Sequence, residues 1–152
     1  MEVIGQLQKQ YVDFVTSVYH EGFLDDQFLE LQKLRDDSNP NFVAEVVSLF
    51  FDDSEKLINN LATALHQQVV DYKQVDAHVH QFKGSSSSIG ANKVKNACVD
   101  FRSSCDLKNI EGCLACLQNV KREYYLVKSK LEILFRLEEQ IMAAGGVVPM
   151  LA

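Results

Sequence analysis

The 152-residue chain is short of the residues that interrupt helices: it has two prolines and seven glycines. Long polar loops are missing as well, which favours an all-helical chain. It has no excess of basic residues. Fifteen Lys and Arg against twenty-one Asp and Glu leave a formal net charge of −6. An acidic balance argues against a nucleic-acid partner, because phosphate binding needs a basic face. No apolar run approaches the ~18 residues needed to span a bilayer, so no membrane segment is expected. The opening Met1-Glu2-Val3-Ile4-Gly5-Gln6 lacks a basic stretch followed by an apolar run, so no signal peptide is expected either and an intracellular, reducing compartment is the default.

What is present is a series of apolar stripes at helical spacing. Ile4, Leu7, Tyr11, Phe14 and Val18 mark a helix over about 2–21, ended by Gly22. Leu24, Phe28, Leu31 and Leu34 mark a short one from about 25 to 35, with Asp25 and Asp26 where negative charge suits the helix dipole. The break Asp36-Asp37-Ser38-Asn39-Pro40 offers Asn39 as a cap and Pro40 as a first helical residue. A long helix over about 40–68 follows, with Val43, Val47, Phe50, Ser54, Leu57, Leu61 and Ala64 in register. Phe42, Val46, Leu49 and Phe51 make its first half apolar on more than one face.

Asp71 with Gln74 three residues on fits a capping box for a helix over 71–89. Val94, Cys98, Phe101 and Cys105 carry the next, over 92–106, and the turn at Lys108-Asn109 leads into the longest, over 110–143. There the repeat from Ile110 to Ile141 is broken only by Glu138. The predicted architecture is an all-α, antiparallel, up-down-up-down four-helix bundle over 40–144. An N-terminal extension of two further helices over 1–39 flanks it, and 145–152 form a frayed tail.

Cys98, Cys105 and Cys113 fall on apolar stripes, where free cysteine behaves as a small hydrophobe. Cys113 and Cys116 have C-x2-C spacing. They lie in mid-helix rather than on the tight turn a zinc site wants, so no metal site is assigned.

The distinctive stretch is 79–90, Val-His-Gln-Phe-Lys-Gly-Ser-Ser-Ser-Ser-Ile-Gly. Val75, Val79, Phe82, Ser86 and Ile89 form its inward stripe, and His80 stands about 140° from the centre of that stripe. Lys73, Asp76, Ala77, Lys83, Gly84 and Ser87 share the outer face. Glycine in mid-helix costs about 1 kcal/mol relative to alanine. On an outward face, where no core packing needs a small residue, it implies that something outside the domain comes close. His78 lies nearer the core boundary and is read as structural, and the four histidines form no obvious ligand set. Ser87 is two turns from His80 with no orienting acid, which argues against a Ser–His nucleophilic pair. An exposed neutral imidazole is instead a good nucleophile towards an activated phosphoryl group, with Lys83 one turn on as a point charge for its oxygens.

His80 to Gly90 resembles the signature of histidine-containing phosphotransfer proteins, the plant ones in particular, and the likeness extends to Asn39-Pro40-Asn41-Phe42 and the Cys98–Cys105 helix. The resemblance implies a phosphocarrier rather than an enzyme acting alone. His80 would be the phosphoacceptor, Lys83 would stabilise the phosphoryl group, and Gln81 would support the site. Gly84, Ser87, Asp76 and Ala77 would face the partner, with Leu24 and Phe28 as surplus apolar residues for docking. Some plant relatives lack the histidine and act as inhibitors; the presence of His80 implies an active role here. The partners implied are receiver domains of hybrid sensor histidine kinases and response regulators, in cytokinin signalling. The receiver would supply Mg2+, so the chain needs no cofactor of its own. A monomer working in cytoplasm and nucleus completes the expectation.

Overall fold

A computed structural model describes residues 2–36 and 38–150. Six helices account for most of it: α1 (Glu2–His20), α2 (Asp26–Lys33), α3 (Phe42–Leu65), α4 (Tyr72–Ile89), α5 (Asn92–Asp106) and α6 (Ile110–Ala143). Among the described residues there is no strand, only an isolated bridge between Asp36 and Asn39. Helices α3 to α6 pack each on the next and α3 closes against α6, as a four-helix bundle requires. α1 lies along α6, and α2 lies against α4.

Each stripe becomes a buried face. Val43, Val47, Phe50, Leu57 and Leu61 of α3 meet Val75, Val79, Phe82 and Ile89 of α4, Val94, Cys98, Phe101 and Cys105 of α5, and the α6 series from Cys113 to Ile141 in one core. Ser86 is buried in this stripe, and its hydroxyl finds no partner among the protein's polar groups. It serves the core by being small, not by hydrogen bonding.

The ends of α4 are set by local chemistry. The Asp71 carboxylate accepts from Gln74 N at 3.2 Å. At the other end Gly90 takes φ +79°, in the left-handed region that glycine enters without a steric cost. Its carbonyl accepts from Asp25 N at 3.0 Å, which fastens the start of α2 to the end of α4. A Cβ on Gly90 would stand 2.6 Å from Phe28 N, so this glycine is required twice over.

Four expectations are corrected. The cap of α3 is Asn41 and Pro40 lies outside the helix, because the Asp36 carboxylate draws the amides of Ser38 and Asn39 into a turn that ends later than the proline suggests. Leu34 is exposed, since α2 ends one residue before it. Leu49 is exposed as well, so the added apolar residues in the first half of α3 are not all covered. Of the expected frayed tail 145–152, residues 145–150 lie against the domain, with Gln8 Nε2 donating to Val147 O at 2.8 Å and Val148 packed on the core, and 151–152 lie outside the described residues.

Glu138, the one polar residue on the α6 stripe, is buried in a network of its own. Its carboxylate accepts from Tyr11 Oη at 2.8 Å and Arg35 Nη1 at 2.8 Å, with Gln32 Nε2 donating to the Tyr11 oxygen. Burial raises the Glu138 carboxyl above its ordinary range, and Arg35 and Tyr11 pull it only partly back. Burial likewise raises the Tyr11 phenol. This cluster joins α1, α6 and the end of α2.

Candidate functional site

The outward face of α4 carries the site. His80 is exposed at mid-helix, behind which Val79 and Phe82 are fully buried and hold the helix in register. Ala77, Gln81 and Gly84 are exposed around it, and Asp76, Lys83 and Ser87 are half-buried. Lys83 stands one turn on from His80, and its charge reaches the buried Cys98 on α5. Burial pushes the Cys98 thiol up to about 12, and Lys83 only moderates that, so Cys98 remains a protonated core residue. Cys105 is pushed up to about 12 by the same cause.

A hypothetical Cβ at Gly84 meets nothing within 4 Å. No packing inside the domain therefore asks for glycine, although the helix forgoes about 1 kcal/mol by having it. Ser87, one turn beyond, borders a hollow with Tyr19, Leu24, Asp25, Asn92 and Lys95, where the α1–α2 junction meets α4 and α5.

The residue that sequence reasoning missed is Arg102, on α5. Its Nη1 donates to His80 Nδ1 at 3.0 Å. Nε and Nη2 of the same guanidinium bond to Asp76 Oδ1 at 3.0 Å and Oδ2 at 3.3 Å. The hydrogen bond and charge of Asp76 push Arg102 further up, so it is a fixed cation. Asp76 thus belongs to the site as the anchor of Arg102, one turn before His80, rather than as a free docking carboxylate. The hydrogen bond on the imidazole comes from Arg102 and not from Gln81.

Leu24 and Phe28 are corrected outright. They are 2% and 0% exposed and belong to the core, because the Asp25–Gly90 hydrogen bond draws the start of α2 onto the end of α4. Phe28 offers no surface to a partner, and Leu24 shows only the edge that borders the hollow beside Ser87.

Helical packing and an outward, clamped imidazole define a bundle built to present one histidine. Residues 45–140 match the family described as the Hpt domain. The chain is 61% identical over 144 residues to histidine-containing phosphotransfer protein 1 of Arabidopsis thaliana, covering 95% of this chain and 94% of that one. It is 46% identical to pseudo histidine-containing phosphotransfer protein 6 of the same plant, over 97% of each. The crystal structure of a histidine-containing phosphotransfer protein from Medicago truncatula superposes with a TM-score of 0.88 at 52% identity, covering 91% of this chain and 95% of that one. The chain belongs to the plant histidine-containing phosphotransfer family, which groups relay carriers of two-component signalling with pseudo members of the same fold.

Proposed function

We propose that His80 accepts a phosphoryl group from the receiver-domain aspartate of a hybrid sensor histidine kinase and passes it to the receiver of a response regulator, in plant cytokinin signalling. The observation that carries this reading is the pairing of an exposed imidazole with an open helix surface at Gly84. Nothing in the domain needs that opening; an approaching active site does. Arg102 occupies Nδ1, so Nε2 is the nitrogen to which the phosphoryl group goes.

Phosphoryl transfer depends on positioning and on charge stabilisation by metal ions and cations. This chain contributes the nucleophile and the cations Lys83 and Arg102. The receiver contributes the aspartate and Mg2+. Ala77, Gly84 and Ser87 form the contact face, Gln81 borders it, and the carrier works as a monomer shuttling between cytoplasm and nucleus.

The test is incubation with a radiolabelled, phosphorylated receiver and Mg2+. Label that is acid-labile, alkali-stable and absent from His80→Gln is the expected result, with the variant still binding the receiver. Equal labelling of the variant would remove His80 from the role. Receiver binding without any labelling of the wild type would make the protein a receiver-binding module that relays nothing.

A further inference from the structure

A guanidinium only donates hydrogen bonds. The 3.0 Å bond from Arg102 Nη1 therefore requires a lone pair on His80 Nδ1. In a neutral imidazole that places the proton on Nε2. Asp76 positions Arg102 on the ring in the unpartnered protein, holding its Nε and Nη2 edge with both carboxylate oxygens. Asp76 fixes Arg102, and Arg102 fixes the ring.

We infer that Asp76 and Arg102 form a tautomer latch on His80, holding Nε2 protonated in the unpartnered protein and releasing it when a receiver docks. The inference rests on the phosphorelay reading and adds the control of that site. To accept a phosphoryl group, the Nε2 lone pair must form the N–P bond. The P–O bond to the receiver's aspartate breaks, and its electron pair returns to the carboxylate. That step needs the ring proton on Nδ1, where it would face the Arg102 N–H, donor against donor. Arg102 must leave Nδ1 before transfer occurs.

Once Nε2 carries phosphorus, the Nδ1 proton is lost to water and Nδ1 again offers a lone pair. Arg102 then returns to it. Hydrolysis of the phosphorylated ring runs the other way: a water oxygen bonds to phosphorus and the N–P electron pair falls back on Nε2. Imidazole leaves as a neutral group only if Nδ1 has been reprotonated. With Arg102 donating to Nδ1, that protonation is opposed, so the same contact preserves the phosphoryl group between partners. The charged groups of the site are Asp76 and Lys83 on α4 and Arg102 on α5, with Asp106 adding its charge on the Arg102 side.

The test uses the full chain labelled with 15N. Long-range proton–nitrogen correlation above the imidazole titration should show one His80 tautomer in the wild type, with an N–H-type Nε2 and a lone-pair-type Nδ1. His80→Gln assigns the signals. Arg102→Ala should give averaged nitrogen shifts from two tautomers, and Arg102→Lys should not restore the single form, since an ammonium lacks the planar fork. After phosphorylation, the label on Arg102→Ala should decay about fivefold faster, the order expected for loss of one hydrogen bond. A wild-type ring carrying its proton on Nδ1, or nitrogen shifts unchanged in Arg102→Ala, would overturn the latch. Equal lifetimes would overturn its protective half. If no receiver labels either protein, the relay reading fails while the tautomer measurement still decides whether the latch exists.

Discussion

Two arginine–carboxylate clusters in this molecule use the same chemistry to opposite ends. Arg35 and Glu138 are 14% and 5% exposed and join α6 to the end of α2, with Tyr11 of α1 on the same carboxylate. Arg102 and Asp76 are 36% and 29% exposed and join α5 to the turn of α4 before His80. In the first, every partner is committed to holding the fold. In the second, the guanidinium keeps N–H groups that Asp76 does not use, and one of them rests on an imidazole. Burial separates structure from function: the inner pair cannot open without cost, whereas solvent can replace either partner of the outer pair. The two glycines of the α4 stretch divide in the same way. Gly90 answers to its own backbone and to Phe28, Gly84 to nothing within the domain.

The largest expected effect comes from breaking the inner cluster. Glu138→Ala strands Arg35 and Tyr11 and should cost about 3 kcal/mol in urea unfolding, the low end for a broken buried pair because Arg35 keeps some solvent. Gly90→Ala comes next, at about 2 kcal/mol, combining a left-handed alanine with a Cβ 2.6 Å from Phe28 N. Gly84→Ala should move the other way, stabilising the protein by ~1 kcal/mol, while Gly84→Gln keeps the fold and weakens receiver binding. Wild-type affinity in Gly84→Gln would remove the contrast between the two glycines.

A pH titration sharpens the difference further. Glu138 has a folded pKa raised above its unfolded value, so the folded state binds the extra proton between the two. The Glu138 contribution should therefore be greatest below the ordinary value of 4.5 and decline as pH rises through the raised value. Denaturation of wild type alongside Glu138→Gln, which does not titrate there, isolates that decline. The smallest effect on stability belongs to Asp76→Asn. Its melting temperature should match wild type while the His80 nitrogen shifts move towards those of Arg102→Ala. A large loss of stability would place the outer pair with the inner one.

The helices were legible because each has a stripe of period about 3.6, and α4, α5 and α6 begin and end within a residue of where those stripes place them. His80 and Gly84 were legible for the complementary reason: they are the residues that the α4 stripe leaves outside. Arg102 was not, because its partners lie 22 and 26 residues away on another helix, and pairing across helices has no periodicity to read. The available signal was Asp76 and His80 one turn apart on one face, an acid and a base between which a cation fits. Leu24 and Phe28 misled because an apolar residue at the start of a short helix looks the same whether it covers the bundle or awaits a partner. Glu138 read as a flaw in the α6 repeat until Tyr11, Gln32 and Arg35 were found around it.

The distance along the chain between Tyr11 and Glu138 also sets an order of events during synthesis. The two are 127 residues apart, and α1 has its main packing surface on α6. Ribosomes add about 5–20 residues per second, so α1 waits roughly 6–25 s for the residues it will lie against. Meanwhile α3, α4 and α5 meet their neighbours in sequence as they emerge. Tyr11, Val15 and Val18 thus leave the ribosome well before the helix they pack on, and are among the last residues of the bundle to find their place.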